Sequence, residues 1–139
     1  MPLYQRGKCY YFFRKEYDKA FNDYTKAIDL KPDYTDAYLS RGACYVIRKE
    51  FDKALGDINT AIKLAPNYEE AYYSRGMVYL MMENYNQAIA DYSKVIELKP
   101  DYINAYYYRG KAYEIIGDLE KAKEDFKKNI ELKAKNLIS

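Results

Sequence analysis

The chain has 139 residues, 23 basic and 21 acidic side chains, and a formal net charge of +2. So small a charge gives no reason to expect nucleic acid or an acidic membrane surface as partner. Histidine is absent, which removes the commonest general base and the commonest metal ligand together, and no apolar run approaches the ~20 residues needed to cross a bilayer.

The opening segment carries Arg6-Gly7 near its start and Ala20, Ala27 and Pro32 towards its end. No secretory signal pattern precedes it. Met1-Pro2-Leu3 falls inside a repeating unit, so a longer parent with its targeting sequence elsewhere stays open. The next segment predicts a helix from about Thr35 to Arg48, marked by Tyr38, Tyr45, Val46 and Ile47 with Ala37, Gly42 and Ala43 as small contacts. A short polar break at Lys49-Glu50 follows. Phe51, Ala54, Leu55, Ile58, Ala61, Ile62 and Leu64 then recur at spacings of three and four, which predicts an amphipathic helix. Pro66 cannot continue it, and Asn67 with Glu70 has the form of a capping box; Asp33 with Asp36 and Asp101 with Asn104 are weaker versions.

The same succession returns every 34 residues: Arg41-Gly42, Arg75-Gly76 and Arg109-Gly110 fall into register, as do Ala54, Ala88 and Ala122, Asp57, Asp91 and Asp125, and Pro32, Pro66 and Pro100. A period of this length built from two helical stretches predicts an all-α solenoid in which each unit contacts its neighbours. The small pairs Gly42 with Ala54, Gly76 with Ala88 and Gly110 with Ala122 predict close approach of antiparallel helices, offsetting the ~1 kcal/mol cost of a mid-helix glycine. Gly7 lies 35 residues before Gly42 whereas Ala20 keeps the spacing of 34, so one extra residue predicts a bulge or enlarged turn between Gly7 and Tyr17. The last segment replaces the alanine and proline of earlier units by Asn129 and Ala134, and carries Lys123 where Leu55 and Ile89 stood. Its second helix is expected to run on to about Lys135 with the polar outer face of a terminal repeat. The lysines Lys121, Lys123, Lys127, Lys128, Lys133 and Lys135 alternate with acids and read as a solvated face.

Two columns predict ion pairs within units: Arg41 with Asp57, Arg75 with Asp91 and Arg109 with Asp125, in structural roles, with Arg6 and Asp23 as a distorted first copy. Cys9 and Cys44 occupy equivalent sites, where Val78 and Ala112 stand later. Stacked repeats would hold them ~8–10 Å apart, too far for a disulfide, so both read as buried thiols, and a reducing, cytoplasmic setting fits them.

With these residues in register, the units resemble tetratricopeptide repeats: Tyr38, Gly42, Tyr45, Ala54, Ile58, Ala61 and Pro66 follow that family's pattern, as do Tyr72, Gly76, Tyr79, Ala88, Tyr92, Val95 and Pro100. The last unit follows it less fully with Tyr106, Gly110, Tyr113, Ala122 and Phe126. The resemblance implies a single domain over 1–139, a right-handed α-α superhelix of about four helix-turn-helix units (about 1–34, 35–68, 69–102 and 103–136). It also implies a concave face lined by the first helices. That selects Leu39, Ala43, Val46 and Ile47, then Tyr73, Met77, Leu80 and Met81, then Tyr107, Lys111, Glu114 and Ile115, with Tyr4, Lys8, Tyr11 and Phe12 from the first unit. Flexible methionines and rigid tyrosines suit adaptable protein recognition. Some of these residues are equally able to pack between neighbouring helices. Chaperone-binding members of the family grip a C-terminal carboxylate with cationic side chains; the matching positions here (Leu39, Ala43, Ser74, Asn104 and Tyr108, or Tyr4, Lys8, Ser40, Glu70 and Ser74) supply no such fork. The reading is therefore a non-enzymatic scaffold that holds a peptide or helix of a partner protein in an apolar groove, with no cofactor, no metal, no nucleic acid and no membrane. Self-association through exposed end repeats, or service as the targeting part of a larger protein, is the alternative.

Overall fold

Among the described residues, helices stop three times by one device. At Tyr45–Glu50 the amide of Glu50 donates to the carbonyl of Tyr45 at 2.9 Å and that of Lys49 to Val46 at 2.9 Å, with Lys49 at φ 61°. Asn84 with Tyr79 and Glu83 with Leu80 repeat this around Glu83 at φ 63°, and Asp118 with Tyr113 and Gly117 with Glu114 around Gly117 at φ 94°. Such paired bonds around one left-handed residue satisfy the last carbonyls of a helix. Glycine meets that conformation without strain, whereas Lys49 and Glu83 hold it at a cost of roughly 1–2 kcal/mol each.

The computed structural model describes residues 3–138, with side chains from Glu16 onward. Its helices are α1 (Leu3–Leu30), α2 (Thr35–Ile47), α3 (Phe51–Leu64), α4 (Glu69–Met81), α5 (Tyr85–Leu98), α6 (Ile103–Ile116) and α7 (Leu119–Ile138). Two compact units hold them: Met1–Leu64 with α1 to α3, and Ala65–Ser139 with α4 to α7.

In the first unit α2 and α3 form an antiparallel hairpin, and α1 packs on α2. There Phe21 meets the Tyr45 ring edge-on at 5.0 Å, the Arg48 guanidinium lies 4.1 Å from the Phe21 ring and donates to Asp18 at 2.9 Å, and Cys44 is buried. Burial pushes the Cys44 thiol up, above its ordinary range; Cys9 lies outside the described side chains. The bulge or turn expected between Gly7 and Tyr17 is not formed, because α1 is one unbroken helix of 28 residues. A continuous helix absorbs one extra residue without strain, since every position offers the same backbone bonds.

In the second unit α4 pairs with α5 and α6 with α7, while α6 packs on α5. The core is Ala88, Tyr92, Val95 and Ala105, with Tyr72, Tyr73, Met77, Tyr79, Leu80, Ile96, Tyr102 and Tyr108 packed around it. A Cβ on Gly76 would lie 2.9 Å from the Tyr92 ring, and one on Gly110 would lie 2.9 Å from the Phe126 ring and 3.1 Å from the Asp125 Cβ. In the first unit a Cβ on Gly42 would lie 3.3 Å from Ile58 and 3.5 Å from the Ala54 carbonyl. The glycines therefore make room chiefly for the bulky residue four places after the alanine, rather than for the alanine itself.

The helix starts correct a further expectation. The cap positions of α2, α4 and α6 are Tyr34, Tyr68 and Tyr102, none with a side-chain cap bond, so the capping boxes at Asp33, Asn67 and Asp101 do not form. Those three residues sit one place too early, because the turn after the proline consumes one more residue. What repeats instead is a pin from each first helix to the preceding proline: the hydroxyls of Tyr38, Tyr72 and Tyr106 donate to the carbonyls of Pro32, Pro66 and Pro100 at 2.9, 2.8 and 2.7 Å. At the start of α7 a side-chain cap does form, Asp118 accepting from the Lys121 amide at 3.3 Å. Lys123 is exposed. Asn129 is instead buried, and its Nδ2 donates to the Ile103 carbonyl at 3.0 Å, tying α7 to the start of α6.

Candidate functional site

The repeat register places an arginine and an aspartate on facing helices of each hairpin. Arg41 donates from Nε and Nη2 to the two oxygens of Asp57 at 2.8 and 2.7 Å; Arg75 does so to Asp91 and Arg109 to Asp125, both at 2.9 and 2.7 Å. Such two-point pairs are the strong form of a charged hydrogen bond. The three aspartates are buried. Each arginine also lies beside tyrosine rings, Arg41 by Tyr38 and Tyr45, Arg75 by Tyr72, and Arg109 by Tyr106 and Tyr113. Hydrogen bonding to the carboxylate, ahead of every other influence, holds all three guanidinium groups above their ordinary pKa. Asp91 is also raised: burial outweighs the pull of Arg75. Both its oxygens are occupied by Arg75. These acids are committed within the hairpins, so none is free for acid–base chemistry. Arg6 lies outside the described side chains. Its backbone position shares α1 with Asp23 at a separation of roughly 25 Å along the axis, so the fourth pair cannot form within one copy of this helix.

The groove residues behave differently in the two units. On α2, Leu39 and Val46 are half-buried while Ala43 and Ile47 are exposed. On α4, Tyr73 is hemmed by rings: its centroid lies 4.9 Å from Tyr102, 5.8 Å from Tyr92 and 6.3 Å from Tyr108. Met77 and Leu80 pack against the same cluster, whereas Met81 is half exposed. On α6, Tyr107 leans on Phe126 at 6.0 Å, and the Lys111 ammonium lies 5.7 Å from the Tyr107 ring and 3.8 Å from Glu114. Ile115 is exposed. Tyr4, Lys8, Tyr11 and Phe12 lie outside the described side chains.

Sequence reasoning missed the tyrosine cluster itself. Tyr92 is fully buried, and its hydroxyl has no hydrogen-bond partner among the described residues. Tyr108 stacks on it at 6.2 Å, and Tyr102 donates its hydroxyl to Glu70 at 2.8 Å. The available signal was the column Ser40, Ser74, Tyr108, where a small polar residue becomes a large ring. Burial, with lesser contributions from Tyr108 and Glu70, pushes the Tyr73 hydroxyl up to about 12. Tyr92 and Tyr102 are raised too, burial again leading. Among the described residues no group of three or more metal-binding side chains converges, and no helix is long and apolar enough to cross a membrane.

Hairpins of this length, with an Arg–Asp clasp and a Tyr–Pro pin recurring every 34 residues, define a helical-repeat scaffold. Tetratricopeptide repeat models match residues 69–102 and 92–124, and a TPR repeat model matches residues 10–46. The chain belongs to the tetratricopeptide repeat family, all-α solenoids that act as protein-interaction scaffolds. Among solved structures it is similar to a crystal structure of MamA, with 32% identity and a TM-score of 0.84 over 88% of this chain and 72% of that one. It is also similar to MamA 41-end from Desulfovibrio magneticus RS-1, with 28% identity and a TM-score of 0.79 over 96% and 75%. A third similar structure is the second TPR of Spaghetti (RPAP3) bound to the HSP90 peptide SRMEEVD, with 26% identity and a TM-score of 0.68 over 70% and 91%. No curated protein sequence matches.

Proposed function

We propose that this scaffold is non-enzymatic and holds a peptide or helix of a partner protein against the first helices of its repeats, mainly through apolar and aromatic contacts. The observation that carries the reading is the surface of the second unit. Half-buried Met77 and Leu80 pack on the tyrosine cluster around Tyr92, Tyr107 meets the Tyr108 ring at 5.2 Å, and Met81, Tyr107 and Ile115 are exposed on the same two first helices. A preorganised aromatic base with flexible apolar side chains at its edge suits an amphipathic segment. The peptide complex of the Spaghetti TPR is a precedent for a protein ligand on this fold. A ligand of a different kind is expected here, because neither set of positions that matches a carboxylate-gripping site (Leu39, Ala43, Ser74, Asn104 and Tyr108, or Tyr4, Lys8, Ser40, Glu70 and Ser74) supplies a cationic fork. The locked aspartates and the absence of histidine favour a role without catalysis. The reading also places the chain in the cytoplasm, where a free thiol such as Cys44 persists, with no nucleic acid or membrane as partner.

The test is capture of partners from a native extract, comparing the natural chain with Met81→Lys/Tyr107→Ala. These positions are exposed, so helicity by circular dichroism is expected to stay unchanged. Tyr73 is avoided because three rings pack on it. A protein held by the natural chain and lost by the variant supports the groove; equal retention of every captured protein refutes it.

A further inference from the structure

Ile28, Ile62, Ile96 and Ile130 hold one place in the repeat. On α1, against which α2 packs, Ile28 is 8% exposed. On α5, Ile96 packs on the core to which α6 contributes Ala105. On α7, Ile130 is 66% exposed, because α7 packs chiefly on α6 of its own hairpin. The ring pair that receives α6 recurs as well. Tyr73 and Tyr92 lie 5.8 Å apart, and Tyr108 of α6 rests against them at 6.3 and 6.2 Å. Tyr107 and Phe126 stand in the same two columns, 6.0 Å apart. Among the described residues no ring of another helix rests on that second pair. The hairpin of α6 and α7 therefore reproduces the seat that α4 and α5 offer to α6, and it is shaped for one more helix.

Charge selects the kind of helix. At about 100° per residue, Leu119, Lys123, Ile130 and Leu137 fall within about 40° of one another on α7, and all four are exposed. Lys127 and Lys133 flank this stripe, about 60° to either side of Ile130. The acids Glu120, Glu124 and Glu131 lie together farther round, about 80–120° from Ile130. The cations are departures from the earlier repeats. Lys123 stands where α1 and α5 have Phe21 and Ile89, and Lys127 where they have Thr25 and Ser93.

A second copy of α7 is a poor occupant. Laid antiparallel with Ile130 beside Phe126 it sets Lys123 against Lys133, and laid parallel it sets Lys123 against Lys123. Opposed like charges of this kind weigh against a pairing. A helix with acidic flanks meets the same positions with opposite charge.

We propose that the outer face of α7 seats an amphipathic helix of a partner protein, apolar along its centre, with carboxylates that meet Lys123, Lys127 and Lys133. That helix takes the place on α7 that α6 takes on α5. The same lysines keep the empty face soluble and reject helices with basic flanks. Of the residues assigned to the groove only Tyr107 borders this seat, and the seat stands whether or not the groove is occupied.

Three synthetic helical peptides test this, identical in a stripe of leucine and tyrosine and carrying glutamate, glutamine or lysine at every flanking position. Fluorescence anisotropy with the full chain measures each affinity. The glutamate peptide is expected to bind about tenfold or more tighter than the lysine peptide at about 0.05 M salt, with the gap narrowing at about 0.5 M. Lys123→Glu/Lys127→Glu reverses that order. Ile130→Ser weakens the glutamate peptide by about tenfold. Lys128→Glu changes charge about 160° from Ile130 and leaves the order as it was. These positions are all exposed, so helicity by circular dichroism stays unchanged. No binding of the glutamate peptide at about a hundred micromolar overturns the proposal. So does equal affinity for the glutamate and lysine peptides, or a reversal that Lys128→Glu produces as fully. Affinity that survives Ile130→Ser overturns it too, since the peptide then sits elsewhere, as does a dimer of the natural chain that Ile130→Ser abolishes, which assigns the face to a second copy.

Discussion

Replacing Arg75 by methionine isolates what the repeated clasp contributes. The change leaves Asp91, at 4% exposure, without its two strongest hydrogen bonds. Breaking a buried pair by removing one partner costs roughly 3–5 kcal/mol; a quarter of the Arg75 side chain is exposed, so about 3 kcal/mol is the appropriate end of that range. Unfolding entropy of about 2.1 cal/mol/K per residue over this chain makes that a fall of about 10 °C in Tm. The loss also acquires a pH dependence of definite sign. Asp91 already sits above its ordinary value of 3.8 because burial opposes its charge, and without Arg75 it rises further. A native state that holds the proton more tightly than the unfolded state loses stability as pH rises from the unfolded pKa through the folded one. Arg75→Met therefore falls furthest behind the natural protein at pH 7 and recovers part of the gap towards pH 4. Arg75→Met/Asp91→Leu, which leaves no buried charge, recovers most of it at pH 7. Thermal circular dichroism at both pH values is the assay. A single variant within about 0.5 kcal/mol of the natural protein at both, as for a surface ion pair, would refute the reasoning.

Gly76→Ala and Gly110→Ala each place a Cβ about 2.9 Å from a packed ring. Each is expected to cost about 1–3 kcal/mol by overpacking, partly offset by better helix propensity; Gly42→Ala, with Ile58 at 3.3 Å, should cost clearly less, read from urea midpoints. Lys49→Gly and Glu83→Gly relieve left-handed backbone and should each add about 1 kcal/mol in the same assay. In alkaline titration followed by phenolate absorbance, Tyr73 should ionise at about 12, and Tyr92 and Tyr102 later still, together with loss of helix. Their folded values exceed the unfolded value of 10, so stability falls as pH climbs past 10, and Tyr92→Phe should flatten that fall without destabilising the protein at pH 7.

Much of this architecture is legible along the chain because it repeats. A spacing of 34 identifies equivalent positions, and equivalence carries the argument from one hairpin to the next: Arg41 with Asp57 implies Arg75 with Asp91. The polar break at Lys49-Glu50 is legible for the same reason, as is the run of α7 past Ala134 where a proline had closed earlier repeats. The helix starts were misjudged because a capping residue and its neighbour differ by one position in a turn, and only the backbone path selects Tyr34 over Asp33. The glycines were recognised as sites of close approach, but with the wrong neighbour, since the rings of Tyr92 and Phe126 reach back across the hairpin from four residues beyond the alanine.

Periodicity in the sequence determines the class of this protein, the number of residues in a unit and the charges that clasp each hairpin, because those depend on spacing alone. Tertiary structure decides how large rings share space, which is why Tyr73, Tyr92, Tyr102 and Tyr108 form one cluster only once the helices are packed. It also decides the state of Arg14–Ala20. Nearly the same seven residues make a corner in one repeat and a straight helix in another, since the local energies differ by little and the contacts available to each copy do not.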